Sequence, residues 1–457
     1  MLPDLTLAPI RGEREANLRP RRAGIRSGGR LLPPMIRSVA LLAAIALGGL
    51  AASAGLAPGQ GAARAWATSG DCAGRPATLV RMAEGFCMGV VWRRTGGEGP
   101  RMPRGLLELA NGDWLVTDLG TWDAGRGALW RMSLADDGAV RWTRLLRGLS
   151  MPHTVAFGPD GRVYVAEMSR IFAVDPDRPE AVVPVVENLP DNRLHDNRHP
   201  LSSFVFDADG ALLVNVGAPS DRCLAANGTP RRTADGSCAE SAEQAMVRRY
   251  AWLGGGRWSP EWTAFATGLR NSVAMARHPS GAVFQAENSV DLTTPERPFD
   301  EINRLTPGAD YGWPYCTDMA TALPGWPARQ SRCGTRTPPV SLLPPHAAPL
   351  AMVYYEGDMF PEFRGRMLVS WHGYRRAAGR VAAIETDAGG APLTVSPGRY
   401  AIYPRGSLPY PADAPAPRAL ILTPGWDARS SVHPRGSPAG LAVARDGSVW
   451  IAGRRAA

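Results

Sequence analysis

One pattern recurs along the chain: a hydrophobic run, a turn with glycine, then a second hydrophobic run. It reads LLELANGDWLVTD at Leu106–Asp118, TVAFGPDGRVYVAE at Thr154–Glu167, SFVFDADGALLVNVG at Ser203–Gly217 and VAMARHPSGAVFQAE at Val273–Glu287. A looser copy, FPEFRGRMLVSWHG, covers Phe360–Gly373, and GLAVARDGSVWIAG at Gly440–Gly453 closes the set. The runs are rich in Val, Phe, Tyr, Trp and Leu, as strands are. The Asp-Gly and Asn-Gly pairs permit positive φ at a tight hairpin turn. The turn glycines Gly112, Gly161, Gly210, Gly281, Gly365 and Gly447 are separated by 49, 49, 71, 84 and 82 residues. Six hairpins at such intervals predict an all-β fold, a six-bladed β-propeller of four-stranded blades. Radial closure leaves few exposed sheet edges. The longer late intervals predict inserted loops, clearest at 218–250 and 314–350, each holding a cysteine pair.

Composition agrees with this pattern. With 51 Gly and 42 Pro and no collagen-like period, the chain suits many turns and short strands rather than a helical bundle. Before the first repeat, Met35-Ile36-Arg37 gives a charged start, and Ser38 to Ala63 then carries no charge. Ala63-Arg64-Ala65 and Ala65-Trp66-Ala67 offer small-x-small cleavage sites. The organisation expected is an extension upstream of the true start at 1–34, a signal peptide at 35–67 and one propeller domain at 68–457. An uncleaved membrane anchor is the alternative, against which stand the many glycines and Pro58. The net charge of +9 is mostly a leader effect, since removing residues 1–65 leaves about +3. No nucleic-acid partner is read from it. All 51 basic residues are Arg, which excludes Schiff-base and lysine-nucleophile chemistry. The cysteines form three close pairs, Cys72 with Cys87, Cys223 with Cys238 and Cys316 with Cys333, with no CxxC or CxxCH. Three local disulfides in an oxidising compartment, periplasmic or secreted, are expected.

Several polar segments lie where loops meet strands. Asp191–His199 (DNRLHDNRH) precedes the third repeat. His199 there is either a general base, poised near neutral pH, or a loop histidine that caps; His195 is its neighbour. Arg270-Asn271 precedes the fourth repeat, and such a pair orients an anionic or quinonoid ligand by charge-assisted bonds or simply forms a turn. Phe299-Asp300-Glu301-Ile302-Asn303 is followed by Gly308-Ala309-Asp310-Tyr311-Gly312-Trp313-Pro314. Adjacent acids with loop carbonyls suit calcium, a hard ion that takes oxygen ligands, and suit a structural turn equally. His346 lies in a Pro-bounded segment before the fifth repeat. His372, Arg375 and Arg376 follow that repeat's second strand.

Taken together, these segments resemble the soluble glucose/sorbosone dehydrogenase family, the sugar dehydrogenases that use pyrroloquinoline quinone (PQQ). The resemblance runs from about Gly105 to the C-terminus. It implies that His199 is the base that takes the proton from the sugar's C1 hydroxyl, and that Arg270 and Asn271 bind PQQ beside the quinone. It implies a calcium ion at PQQ, held by backbone oxygens near Ser289 and Val290, and a structural calcium at the Glu301 side chain and the Tyr311 carbonyl. His346 occupies the place of another cofactor contact. Some relatives hold the cofactor's carboxylates with a Lys after the fifth blade, and this chain has none; His372, Arg375 or Arg376 substitutes. Arg435 lies two residues ahead of the position where some relatives place an Arg before the sixth blade. The segment Ala218–Cys223 resembles the sorbosone-type branch. The partners implied are a sugar substrate and a separate periplasmic electron acceptor, a cytochrome or quinone. Two other readings stay open. A calcium-dependent lactonase on a six-bladed propeller would recruit Glu167, Asn215 and Asn288. A non-catalytic binding propeller would not need His199 facing the channel.

Overall fold

The computed structural model describes residues 68–191, 197–200, 203–294, 296–326, 332–373, 377, 379–395, 415–426 and 437–454. The expected extension and signal segment (1–67), His195, Arg375, Arg376 and Arg435 lie outside the described residues.

Five of the six predicted repeats are the inner hairpin of a sheet. In the loose copy Pro361–Phe363 is a turn of 3₁₀ helix, and the strand that pairs with Met367–Trp371 is Pro349–Tyr354, ahead of the predicted segment. Blade 1 runs Pro103–Glu108, Trp114–Asp118, Gly127–Leu134 and Val140–Leu149, paired in that order. Blade 2 (Val155–Phe157 to Arg178–Val186), blade 4 (Ala274–Arg277 to Ser341–Pro345) and blade 5 (Pro349–Tyr354 to Ala419–Ile421) are likewise four-stranded. Blade 3 (Phe204–Phe206 to Arg257–Thr267) gains a short fifth strand, Ala309–Asp310, which pairs parallel to its rim strand. Blade 6 contributes the hairpin Ser437–Val443 and Val449–Arg454 among the described residues.

The innermost strands of all six blades surround one channel of about 620 Å³, lined by Arg104, His153, Phe204, Ala274, Met352 and Leu441 among others. The second strand of each of the first five blades is buried along its whole length. Its two faces pack against neighbouring blades, so it reads as a continuous hydrophobic run rather than as an alternation. Rim strands such as Arg178–Val186 are largely exposed.

A separate apolar cluster fills each gap between blades. Leu115 and Leu129 meet Val163 and Phe172 between blades 1 and 2, and Tyr164 meets Leu212 and Trp258 between 2 and 3. Leu213 and Val247 meet Val283 between 3 and 4, and Phe284 and Ile302 meet Met352 and Met367 between 4 and 5. Tyr355 and Leu368 meet Leu441 between 5 and 6, and Trp114 meets Ala444 and Trp450 where blade 6 closes on blade 1.

All three disulfides form as paired in the sequence. The Cys72–Cys87 segment packs on blade 5 through Phe86, whose ring centroid is 5.4 Å from Phe360 and 5.3 Å from Phe363. The other two disulfides lie in the insertions of blades 3 and 4. Those insertions share one apolar cluster with Ala218, Val290, Trp313, Tyr315 and Trp326. The Trp313 and Trp326 indoles donate to the Asp221 and Arg222 carbonyls, each at 2.9 Å. The two insertions therefore make one cap at the end of the ring where loops enter the innermost strands of blades 3 and 4.

Candidate active site

At that end, the second strands of blades 1, 2 and 4 finish in Asp118, Glu167 and Glu287. Each carboxylate accepts backbone N–H groups from the loop that leads into its blade's innermost strand. Asp118 Oδ1 takes Met102 N at 2.7 Å, Glu167 Oε2 takes Ser150 N at 2.6 Å, and Glu287 Oε1 takes Arg270 N at 2.5 Å and Asn271 N at 2.9 Å. Glu287 thus fixes the backbone of the Arg270-Asn271 pair.

Ala218 joins that pair to His199. Its N–H donates to the Arg270 carbonyl at 2.7 Å, and its own carbonyl lies 2.5 Å from His199 Nδ1. A carbonyl oxygen only accepts, so Nδ1 carries the proton and Nε2 is left as an acceptor. Gly217 makes this closeness possible, because a Cβ there would lie 2.6 Å from both the Cβ and the carbonyl oxygen of His199. His199 is buried. Burial first, and then the Arg270 guanidinium, hold its imidazole well below the usual 6.5, against the opposing pull of the Ala218 carbonyl and Asp221. The result is a neutral imidazole with an available Nε2, the form a general base requires.

Arg270 is buried and held on several sides. Nη1 donates to the Asn288 and Ser289 carbonyls, both at 2.9 Å. Nη2 pairs with Asp221 at 2.8 Å and with Asp291 at 3.1 Å. Burial pushes the Asp221 carboxyl up, but the Arg270 charge and the Asp291 N–H outweigh it and hold the group low. Among the described residues, Arg270 Nε and Asn271 Oδ1 are buried without a hydrogen-bond partner. Polar atoms left in that state are costly unless a ligand or water meets them.

The segment expected at a cofactor calcium adjoins this cluster. Ser289 is braced by Asp300, whose Oδ1 accepts Ser289 N at 2.9 Å and whose Oδ2 accepts Ala348 N at 2.6 Å. Burial pushes the Asp300 carboxyl up to about 8. The Ser289 carbonyl takes one guanidinium N–H and the Val290 carbonyl takes Leu292 N at 3.1 Å. Each keeps a lone pair for a hard cation.

Other candidates are tied into the scaffold. His346 Nε2 lies 3.1 Å from both the Thr294 and Arg297 carbonyls, and His372 Nδ1 lies 3.1 Å from the Pro438 carbonyl. Glu301 and Tyr311 meet Arg336, whose Nη1 donates to the Tyr311 carbonyl at 2.7 Å and whose Nη2 is 3.9 Å from Glu301 Oε1. The residues a lactonase would recruit do other work. Glu167 caps its loop, Asn215 Oδ1 accepts Ser272 N at 3.3 Å, and Asn288 Nδ2 donates to the Pro349 carbonyl at 2.9 Å.

Sequence reasoning missed Asp221, Glu287 and His153, and read Asp300 only as one of two adjacent acids at a calcium site or turn. The recurrence of an acid at the end of the second strand was a readable signal for Glu287. His153, just ahead of blade 2's innermost strand, lines the channel with its Nε2 lacking a partner among the described residues. Burial and then Arg104 push its imidazole down to about 3.

The molecule is thus a six-bladed propeller with a neutral histidine and a buried arginine side by side at one end of its channel. The sequence model of the family described as Glucose / Sorbosone dehydrogenase matches residues 176–371, a span that holds His199, Arg270, Asn271 and the Ser289-Val290 segment. The resemblance seen in the motifs is borne out over that span.

Solved structures share the fold. The holo form of the pyranose dehydrogenase PQQ domain from Coprinopsis cinerea superposes with a TM-score of 0.57 at 17% identity, covering 84% of this chain and 97% of that one. The calcium structure of the Trichoderma reesei Carbohydrate-Active Enzymes Family AA12 protein gives 0.53 at 18% identity, covering 78% and 91%. The apo form of the soluble aldose sugar dehydrogenase of Escherichia coli gives 0.50 at 17% identity, covering 78% and 93%. One curated relative, an uncharacterized protein of Borreliella burgdorferi, is 32% identical over 111 residues; the match takes in 24% of this chain and 29% of that protein.

Proposed function

We propose that this protein is a PQQ- and calcium-dependent dehydrogenase that oxidises a sugar or sugar-derived aldehyde of the aldose/sorbosone type. The observation that carries this reading is the Ala218 bridge, which sets a neutral histidine beside a buried arginine. The unpartnered Arg270 Nε and Asn271 Oδ1 fit a ligand that offers both acceptor and donor groups, as PQQ does. Backbone oxygens of Ser289 and Val290 would hold the calcium against it, and one of His372, Arg375 and Arg376 would serve its carboxylates. When bound, PQQ supplies a two-electron acceptor for the hydride that leaves the substrate carbon.

The chain's own part is to orient and to move a proton. His199 Nε2 takes the hydroxyl proton as the C–H bond breaks. Nδ1 stays anchored on the Ala218 carbonyl, so the ring cannot turn away. Asp221 lies close enough to favour the imidazolium that forms. Electrons then pass to a separate acceptor. The three disulfides support an extracytoplasmic location, periplasmic or secreted, and among the described residues no helix is long and apolar enough to cross a membrane.

The test is reconstitution with PQQ and calcium, followed by dye-linked oxidation across a panel of aldoses and sorbosone. Oxidation that depends on PQQ is expected. Lactone hydrolysis by the protein without PQQ, with no oxidation of the panel, would overturn the proposal.

A further inference from the structure

Glu301 and Asn303 lie on the third strand of blade 4, buried between blades. Asn303 Nδ2 donates to Glu301 Oε2 at 3.2 Å, and Asn303 Oδ1 has no partner among the described residues. A buried carboxylate, a backbone carbonyl at Tyr311 and a spare amide oxygen together make a hole for a cation. Arg336 fills it. Its side chain and that of Glu301 are 2% and 5% exposed, and its Nη1 donates to the Tyr311 carbonyl at 2.7 Å.

The surroundings are shaped for this arginine. Gly312 sits at φ +102, where a Cβ would approach Arg336 Cδ to 2.5 Å. The chain is brought back to the strand by the Cys316–Cys333 disulfide, which closes the insertion just ahead of Arg336. Thr337 N then donates to the Asp310 carbonyl at 2.8 Å, pinning the segment on the other side.

A calcium ion at the Glu301 side chain and the Tyr311 carbonyl does not fit these residues. Calcium takes six to eight oxygen ligands at about 2.3–2.6 Å, and here a permanent cation already faces both oxygens. We propose that Arg336 is the resident cation of this site, in place of a divalent metal, so that this part of the propeller holds together without calcium. The guanidinium cannot be lost to a chelator or to dilution, as an ion can.

The experiment uses the full chain purified without PQQ, which separates this site from the cofactor's calcium and from the proposed activity. Thermal unfolding and bound calcium are measured with calcium and with a chelator, for the wild type and for Glu301→Gln. The wild-type Tm should not fall on chelation, and Glu301→Gln should bind as much calcium as the wild type. Arg336→Ala should melt lower than the wild type, with calcium restoring part of the loss. The proposal is overturned if chelation lowers the wild-type Tm and Glu301→Gln abolishes binding of that calcium. It is overturned equally if Arg336→Ala melts as the wild type does. Should Arg336→Ala fail to fold, the comparison of wild type with Glu301→Gln decides alone.

Discussion

His199 owes its state to burial and three groups: Ala218 fixes its tautomer, burial and Arg270 lower its proton affinity, and Asp221 raises it. The base form is the neutral one. A pKa held well below 6.5 keeps it populated through mildly acidic pH, so kcat/KM should stay flat there and fall only below the range of an ordinary histidine. Asp221→Asn removes a carboxylate that raises the His199 pKa. Its acid limb should therefore move to still lower pH in a pH–rate profile. An upward move would show that Asp221 does not act on His199 in this way. None of this coupling was legible beforehand. His199 and Arg270 stood out as polar residues at strand mouths within a known motif order. Asp221 stood in an insertion, where no period marks any position.

At the level of elements, Gly217 follows directly on the second strand of blade 3, Leu212–Val216, with no room for a side chain. Gly217→Ala should push His199 from its place and lower turnover by roughly 10²-fold, the scale of a 1 Å misplacement. Circular dichroism should show the sheet content retained. Wild-type turnover in that variant would mean the His199 backbone is free to shift. Five hairpins were readable because turn chemistry and strand composition agree at those repeats. In the loose copy at Phe360–Gly373 only the second strand was, since the aromatic run ahead of Gly365 forms a turn of 3₁₀ helix. The parallel strand Ala309–Asp310 was not, since its two residues carry no pattern of their own and pair only because the insertion brings them to the rim of blade 3. The short segments around Glu301 and Tyr311 read equally well as a metal site or a turn. What occupies the space between them, Arg336, comes from beyond a disulfide loop and leaves no local trace.

For the whole molecule, the ring is only as stable as its seam. Blade 6 meets blade 1 through the Trp114–Trp450 stack, with centroids 4.3 Å apart, and through Arg445 Nη1, which donates to the Ala110 carbonyl at 2.7 Å. Trp114 is buried, and Trp114→Ala should cost about 3–5 kcal/mol in denaturant unfolding. A cost under about 1 kcal/mol would mean the seam does not hold the propeller shut. Closure was legible as a count of six repeats; which residues form the seam was not, because they are far apart in sequence.

The central claim is that His199 acts on the substrate's proton at a site that binds PQQ without it. The direct measurement is PQQ affinity and sugar turnover, side by side, in His199→Asn. Affinity should stay within a few-fold of wild type while turnover falls by on the order of 10²–10⁴-fold. Turnover within a few-fold of wild type, or a loss explained entirely by failure to bind PQQ, would contradict the account.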